Sequence, residues 1–141
     1  MSQENVETVR RANAFFHAGD LDALIDLYHP DAEWRDLQHP PDTPETVHGR
    51  TAILALWTDW LELFDDTKVE IHEYIDAHPW VICPTRWWGT GRQSGATIDL
   101  RATDAYEVNE GRIVRVVLGY ADTAAALEAV GLSEQNAHAD S

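Results

Sequence analysis

Two acidic residues stand out because of their apolar neighbours. If Trp34 in the segment Ala32–Asp36 faces an interior, strand alternation turns Asp36 inward as well, beside a Pro-rich stretch. In the segment Ala96–Val108 the same alternation places Leu100, Ala102, Asp104 and Tyr106 on one face, and Val116, Leu118 and Tyr120 share a face in the segment that follows. These faces are mostly apolar. Burying a carboxylate there without partners costs roughly several kcal/mol or makes it take up a proton. An ionised and a protonated acid beside one cavity are the parts of proton-transfer chemistry. A structural reading competes: Asp36 bonds turn amides, and Asp104 pairs with Arg101 or Arg115.

Tryptophan is the second signal. The chain has 6 Trp in 141 residues, more than a core of this size needs. Trp57 and Trp60 fall on one face of a helical pattern, and Trp34 and Trp87 complete a flat-sided pocket with Leu118 and Tyr120 on its strand wall. Core filling is the competing reading for any single Trp. Trp87 and Trp88 are adjacent on a strand, so one of them lies outside, where a large aromatic suggests an interface.

Other chemistries find no support. The seven His include no HxH or HxxxH pair, and a zinc site is not expected. His39, three residues from Asp36, is a candidate proton relay but more simply an exposed loop residue. No phosphate-cradling glycine motif, nucleophile elbow or cofactor signature is present, so no cofactor is expected. Cys83 is the single cysteine and flanks no paired ligands.

Short elements must position these residues. Apolar positions Val6, Val9, Ala12, Phe15 and Phe16 predict a helix over Asn5–Ala18, closed by Gly19. A second helix follows Asp20, with Leu21, Leu24, Ile25 and Tyr28 as its stripe and Pro30 as its stop. After the strand Ala32–Asp36 and a loop over Leu37–His48, a third helix follows Gly49 and runs to about Phe64. Strands are predicted over Lys68–Asp76, Trp80–Gly89, Ala96–Val108 and Arg112–Tyr120, then a helix over Asp122–Val130. Helices are segregated from long strands with short links, which argues an α+β fold with an antiparallel meander over a parallel α/β one. The expected organisation is one domain over 1–132 and a disordered polar tail over 133–141.

Charge narrows the partners. With 10 Lys+Arg against 25 Asp+Glu the formal charge is −15, which repels phosphate backbones and anionic lipid. Neither nucleic acid nor membrane is an expected partner. The first residues, MSQENVETVRR, hold no apolar stretch of signal-peptide length, so the expected location is cytoplasmic.

Three segments, Phe15–Trp34 (FFHAGDLDALIDLYHPDAEW), His48–Ile53 (HGRTAI) and Val108–Val116 (VNEGRIVRV), give the chain a resemblance to the SnoaL-like branch of the nuclear transport factor 2 superfamily. The resemblance spans about Asn5–Leu132. It implies a cone-shaped, curved antiparallel sheet wrapped around about three helices, a pocket for a small apolar molecule, and a homodimer. Aligned on GDLD, the general-base Asp of the related ketosteroid isomerases falls on Asp36 and the protonated Asp of their oxyanion hole on Asp104. That enzyme is a known worked case of divided carboxyl roles. The tyrosine completing its oxyanion hole falls on Ala12, which has no donor. The Asp–Arg–Asp set of limonene epoxide hydrolases fits worse, because its last-strand Asp falls on Gly119. The resemblance thus implies a cofactor-free isomerase, cyclase or dehydratase using Asp36 and Asp104. A ligand-binding or assembly module without chemistry is the alternative.

Overall fold

The computed structural model describes residues 2–131 and the backbone of residues 138–140. Helix α1 (Ser2–Ala18) buries Val6, Val9 and Ala12 along one stripe and ends at Gly19, whose φ of 73° suits a residue without a Cβ. Asp20 caps α2 (Leu21–Asp26) by accepting the Ala23 N–H at 3.1 Å. The predicted stripe of this helix reaches too far. Tyr28 is not helical but opens strand β1 (Tyr28–Asp36). Pro30 lies inside that strand, where the register with its neighbour shifts between Tyr28 and Glu33. An irregular stretch of ladder tolerates a residue with no N–H.

Strand β2 (Thr46–His48) folds back on β1 from within the Pro-rich loop. Helix α3 (Arg50–Leu63) follows Gly49 and buries Ile53 and Trp57. Next come β3 (Phe64–Ile71), β4 (Tyr74–Ala77), β5 (Trp80–Gly91), β6 (Thr97–Asn109) and β7 (Arg112–Tyr120). The single strand expected over Lys68–Asp76 is therefore two. Both pair with β5, Ile71 opposite Thr85 and Ile75 opposite Ile82. Pro84 sits between those points with no N–H to give, while its carbonyl accepts from His72 at 2.9 Å.

The sheet is mixed, with its strands in the order β2-β1-β7-β6-β5-β4-β8, where β8 is His138–Asp140, and β3 beside β5. It departs from the antiparallel expectation at one place, since β1 runs parallel to β7. Tight turns force antiparallel pairing only between strands that are close in sequence. β1 meets β7 after the whole meander has been laid down, so no turn fixes their direction.

Helices α1, α2 and α3 pack in the concavity of the sheet, around Tyr28, Trp34, Ile53, Trp57, Val81, Val108 and Val116. Helix α4 (Thr123–Ala129), capped by Asp122, lies on the opposite face and buries Ala126 and Leu127 against Ile75, Ala77, Ile82 and Ala105. No helix among the described residues is long and apolar enough to cross a membrane. Of the tail expected to be disordered, residues 138–140 instead form β8 (His138–Asp140) against the edge of β4. Backbone hydrogen bonds along an open edge need no apolar side chains, so composition carries no trace of this pairing. Residues 132–137 and 141 lie outside the described residues.

Candidate functional site

Between the concave face and helices α1 and α3 lies a cavity of about 520 Å³. Asp36, Asp104, Trp34, Trp57, Trp60, Trp87 and Leu118 all reach it. That is within the usual range for small-molecule sites.

Asp104 lies on β6 between Ala102 and Tyr106, with 8% of its surface exposed. Neither Arg101 nor Arg115 pairs with it; Arg115 stands 4.0 Å from Glu107. Its neighbour is a β-bulge. Thr103 pairs with Tyr120 and Ala105 with Val117, so Leu118 and Gly119 together face Asp104 alone. Gly119 takes φ 96°, and its N–H donates to Asp104 Oδ1 at 3.1 Å. Burial raises the Asp104 pKa to about 7, and the charge of Asp36 adds to the rise. The Gly119 amide and the Thr85 hydroxyl act the other way without cancelling it.

Asp36 ends β1, level with Leu118 of β7. Since β7 is flanked by β1 and β6, one strand separates the two acids, a backbone separation of roughly 10 Å. Asp36 Oδ1 accepts the Gln38 N–H at 2.9 Å, a turn bond of the kind strand-end acids make. That bond fixes the carboxylate at the cavity wall and occupies one of its oxygens. His39 is held in the rim loop, its Nδ1 2.9 Å from both the Pro40 and the Thr43 carbonyl oxygens.

The bulge also corrects one predicted lining residue. Strict alternation from Val116 and Leu118 turns Tyr120 into the cavity, but the extra residue at Gly119 reverses the alternation. Tyr120 therefore packs on the outer face with the residues under α4. Trp87 faces the cavity, while Trp88 lies outside beneath Arg86, whose guanidinium carbon is 4.4 Å from the ring centre. Arg86 also binds Asp99 through two bonds of 2.9 and 2.8 Å, so it takes no part in the cavity.

The aromatic wall is a continuous series. Tyr28 meets Trp57 at 5.1 Å between ring centres, Trp57 meets Trp34 at 5.7 Å, Trp34 meets Trp60 at 6.0 Å, and Trp60 meets Trp87 at 6.4 Å. Mostly edge-to-face contacts of this kind hold rings rigidly. The Trp34 indole N–H is buried without a partner.

Sequence reasoning missed Tyr28 and Thr85 as lining residues, and it placed Tyr106 on the inward face without assigning it to the site. Tyr28 is 2% exposed. Read as the last turn of a helix, it gave no sign of facing a cavity; the Pro two residues later was the available clue that a strand had begun. Among the described residues no three His, Cys, Asp or Glu side chains are grouped so as to hold a metal ion.

The SnoaL-like domain description matches residues 9–116, more than half of the chain. The chain belongs to the SnoaL-like domain family. Among solved structures it is similar to a nuclear-transport-factor-2-like protein of unknown function from Burkholderia pseudomallei, with 21% identity, a TM-score of 0.74, and coverage of 91% of this chain and 98% of that one. A protein from Catenulispora acidiphila with a ketosteroid-isomerase-like fold, solved with trimethylamine, matches at 17% identity and a TM-score of 0.71 over 89% and 93% of the two chains. TerC, co-crystallised with polyporic acid, matches at 21% identity and 0.72 over 89% and 96%. These likenesses establish the fold. No curated protein matches the chain.

Proposed function

We propose that this domain is a cofactor-independent acid–base enzyme acting on a small, mostly apolar molecule that carries a carbonyl group. The observation that carries the reading is a pair of carboxyls in one aromatic-walled cavity, of which Asp104 holds its proton up to about pH 7. Asp36 takes a proton from the carbon beside the carbonyl; the C–H electron pair becomes the new C=C bond, and the carbonyl π pair moves to the oxygen. Protonated Asp104 donates to that oxygen as charge develops there. Where the substrate carries a β,γ double bond the resulting dienol takes the proton back from Asp36 at the γ-carbon in an isomerisation; otherwise the enol attacks a second carbonyl in an aldol-type cyclisation, or expels a β-hydroxyl as water with the proton that Asp36 holds. TerC, a protein of similar fold, was co-crystallised with polyporic acid, which supports an organic molecule as the ligand.

Proton–deuteron exchange at the α-carbon of cyclic ketones in heavy water, followed by NMR, tests the reading. The native protein accelerates exchange, and Asp36→Asn lowers the rate by about 10²–10⁴. Ketones that bind without accelerated exchange leave the second reading, a binding module without chemistry. The bond from Gln38 to Asp36 favours that reading, because it gives the acid a structural task.

A further inference from the structure

The residues that border the cavity include the acids Asp36, Asp59 and Asp104, and among them is no Lys, Arg or His. Basic side chains on the surrounding elements are engaged elsewhere: Arg35 binds Glu45, Arg86 binds Asp99 and Arg92 binds Asp65. Along α3 the cavity is bordered by Leu56, Trp57, Trp60 and Leu63, and Asp59 is the polar exception in that stripe. Among the described residues no protein group bonds or pairs with Asp59.

The aromatic wall shows the same lack of a positive partner. Where a cation meets a ring in this molecule, it does so away from the cavity: Arg86 over Trp88 and Arg10 over Tyr74, each 4.4 Å from the ring centre, and Arg11 over Phe15 at 5.9 Å. Among the described residues no such contact reaches Trp60 or Trp87, which border the cavity with part of their surface uncovered. Their ring centres are 6.4 Å apart and their planes tilted by 46°. Indole is the side-chain ring that attracts a cation most strongly. The mouth of the cavity lies beside these two rings. Leu100, the strand partner of Trp87, is 49% exposed, and Leu63, one helical turn beyond Trp60, is 60% exposed.

We propose that this mouth is a cation subsite, in which Trp60 and Trp87 supply the π surface and Asp59 and Asp36 the negative charge, so that the ligand carries an alkylated ammonium group at its outer end. The inference rests on the reading of the cavity as a ligand site and adds a charge requirement to it. The formal charge of −15 draws a cation toward the mouth, and the apolar walls concentrate that field. An alkylated ammonium spreads its charge over methyl or methylene groups, so it suits indole faces that offer no hydrogen-bond acceptor. From Leu100 to Asp104 the strand spans roughly 13 Å, so a carbonyl near Asp104 and a charged nitrogen at the mouth fit within one small molecule.

Phenyltrimethylammonium and tert-butylbenzene share one shape and differ by a charge. Trp fluorescence titration at about pH 6, where Asp104 keeps its proton, is expected to show the cation binding at least about tenfold more tightly in dilute salt. Raising the salt to about 0.5 M weakens the cation several-fold and leaves the hydrocarbon unchanged. Asp59→Asn lowers the affinity for the cation several-fold without altering that for tert-butylbenzene, and Trp87→Phe weakens the cation more than the hydrocarbon. Circular dichroism checks that both variants keep the fold. If the hydrocarbon binds as tightly as the cation, or both variants hold the cation as the native chain does, the cation subsite alone is overturned and the ketone-exchange experiment stands untouched. If neither probe binds, the subsite falls together with the ligand-binding reading.

Discussion

Gly119 gives its amide proton to Asp104 across the β6–β7 bulge at 3.1 Å, while its own carbonyl receives the Gln38 side-chain amide at 3.2 Å. One peptide segment thereby ties the buried acid to the turn that follows Asp36. The arrangement requires the positive φ of Gly119, where a Cβ would come within 3.1 Å of Gln38 Cγ.

Gly119→Val is therefore expected to destabilise the fold by roughly 1–3 kcal/mol, through backbone strain and the displaced Gln38. It should also push the Asp104 pKa further up, since the amide that lowers it moves away. Chemical denaturation measures the first effect and carboxyl-carbon NMR the second. A variant as stable as the native chain would show that the bulge relaxes freely.

Asp104→Asn is expected to stabilise the protein at alkaline pH. In the folded state Asp104 keeps its proton to about pH 7, whereas unfolded it loses it near ~3.9. Between those values the folded state binds the extra proton, so stability falls as pH rises and the loss is complete above about 7. The total is about 4 kcal/mol, which the Asn variant does not lose. Thermal unfolding from pH 4 to pH 9 checks this: the two curves should meet near pH 4, separate progressively up to about pH 7 and keep that separation above it. Parallel curves would mean that Asp104 titrates normally.

The tryptophans should divide by burial. Trp57, 4% exposed and touching both Tyr28 and Trp34, costs roughly 3–5 kcal/mol when replaced by Ala. Trp60, partly exposed at the wall, costs less in stability but loses most of the fluorescence response to planar apolar compounds. Denaturation and ligand titration on the two variants decide the assignment; an unchanged titration in Trp60→Ala removes Trp60 from the binding wall.

The outer face of β5 and β6 carries Trp88 with Arg86 stacked over it and Asp99 alongside. We propose this face as the contact of a homodimer. Light scattering at micromolar concentration is expected to give twice the 15.9 kDa chain mass, and Trp88→Asp to halve it with the circular dichroism unchanged. A native mass of one chain ends the proposal.

Helical stripes and turn glycines made the helices and the β5–β7 meander legible, because local patterning dictates them. Tyr120 was misread for a specific reason: alternation carries a side chain's direction along a strand only until a bulge, and Gly119 looks the same in sequence whether it bulges or not. Tyr28 was misread because its spacing from Leu24 suits a helix, and only the sheet reveals that β7 needs it as a strand. Asp36 and Asp104 could be named from their apolar surroundings. That one strand separates them depends on the parallel β1–β7 pairing, a long-range choice no local pattern encodes.

Strand β6 passes from one mechanical regime into another. Its far half, Thr103 to Val108, is clamped between the helices inside the sheet and α4 outside it, while Thr97 to Arg101 has no such cover and is largely exposed. The amides around Asp104 should accordingly be among the slowest to exchange with solvent, and those near Leu100 among the fastest in the same strand. The molecule then resembles a pair of tongs, stiff at the grip and compliant at the tips: the strand can give at Leu100 without loosening the geometry that surrounds Asp104.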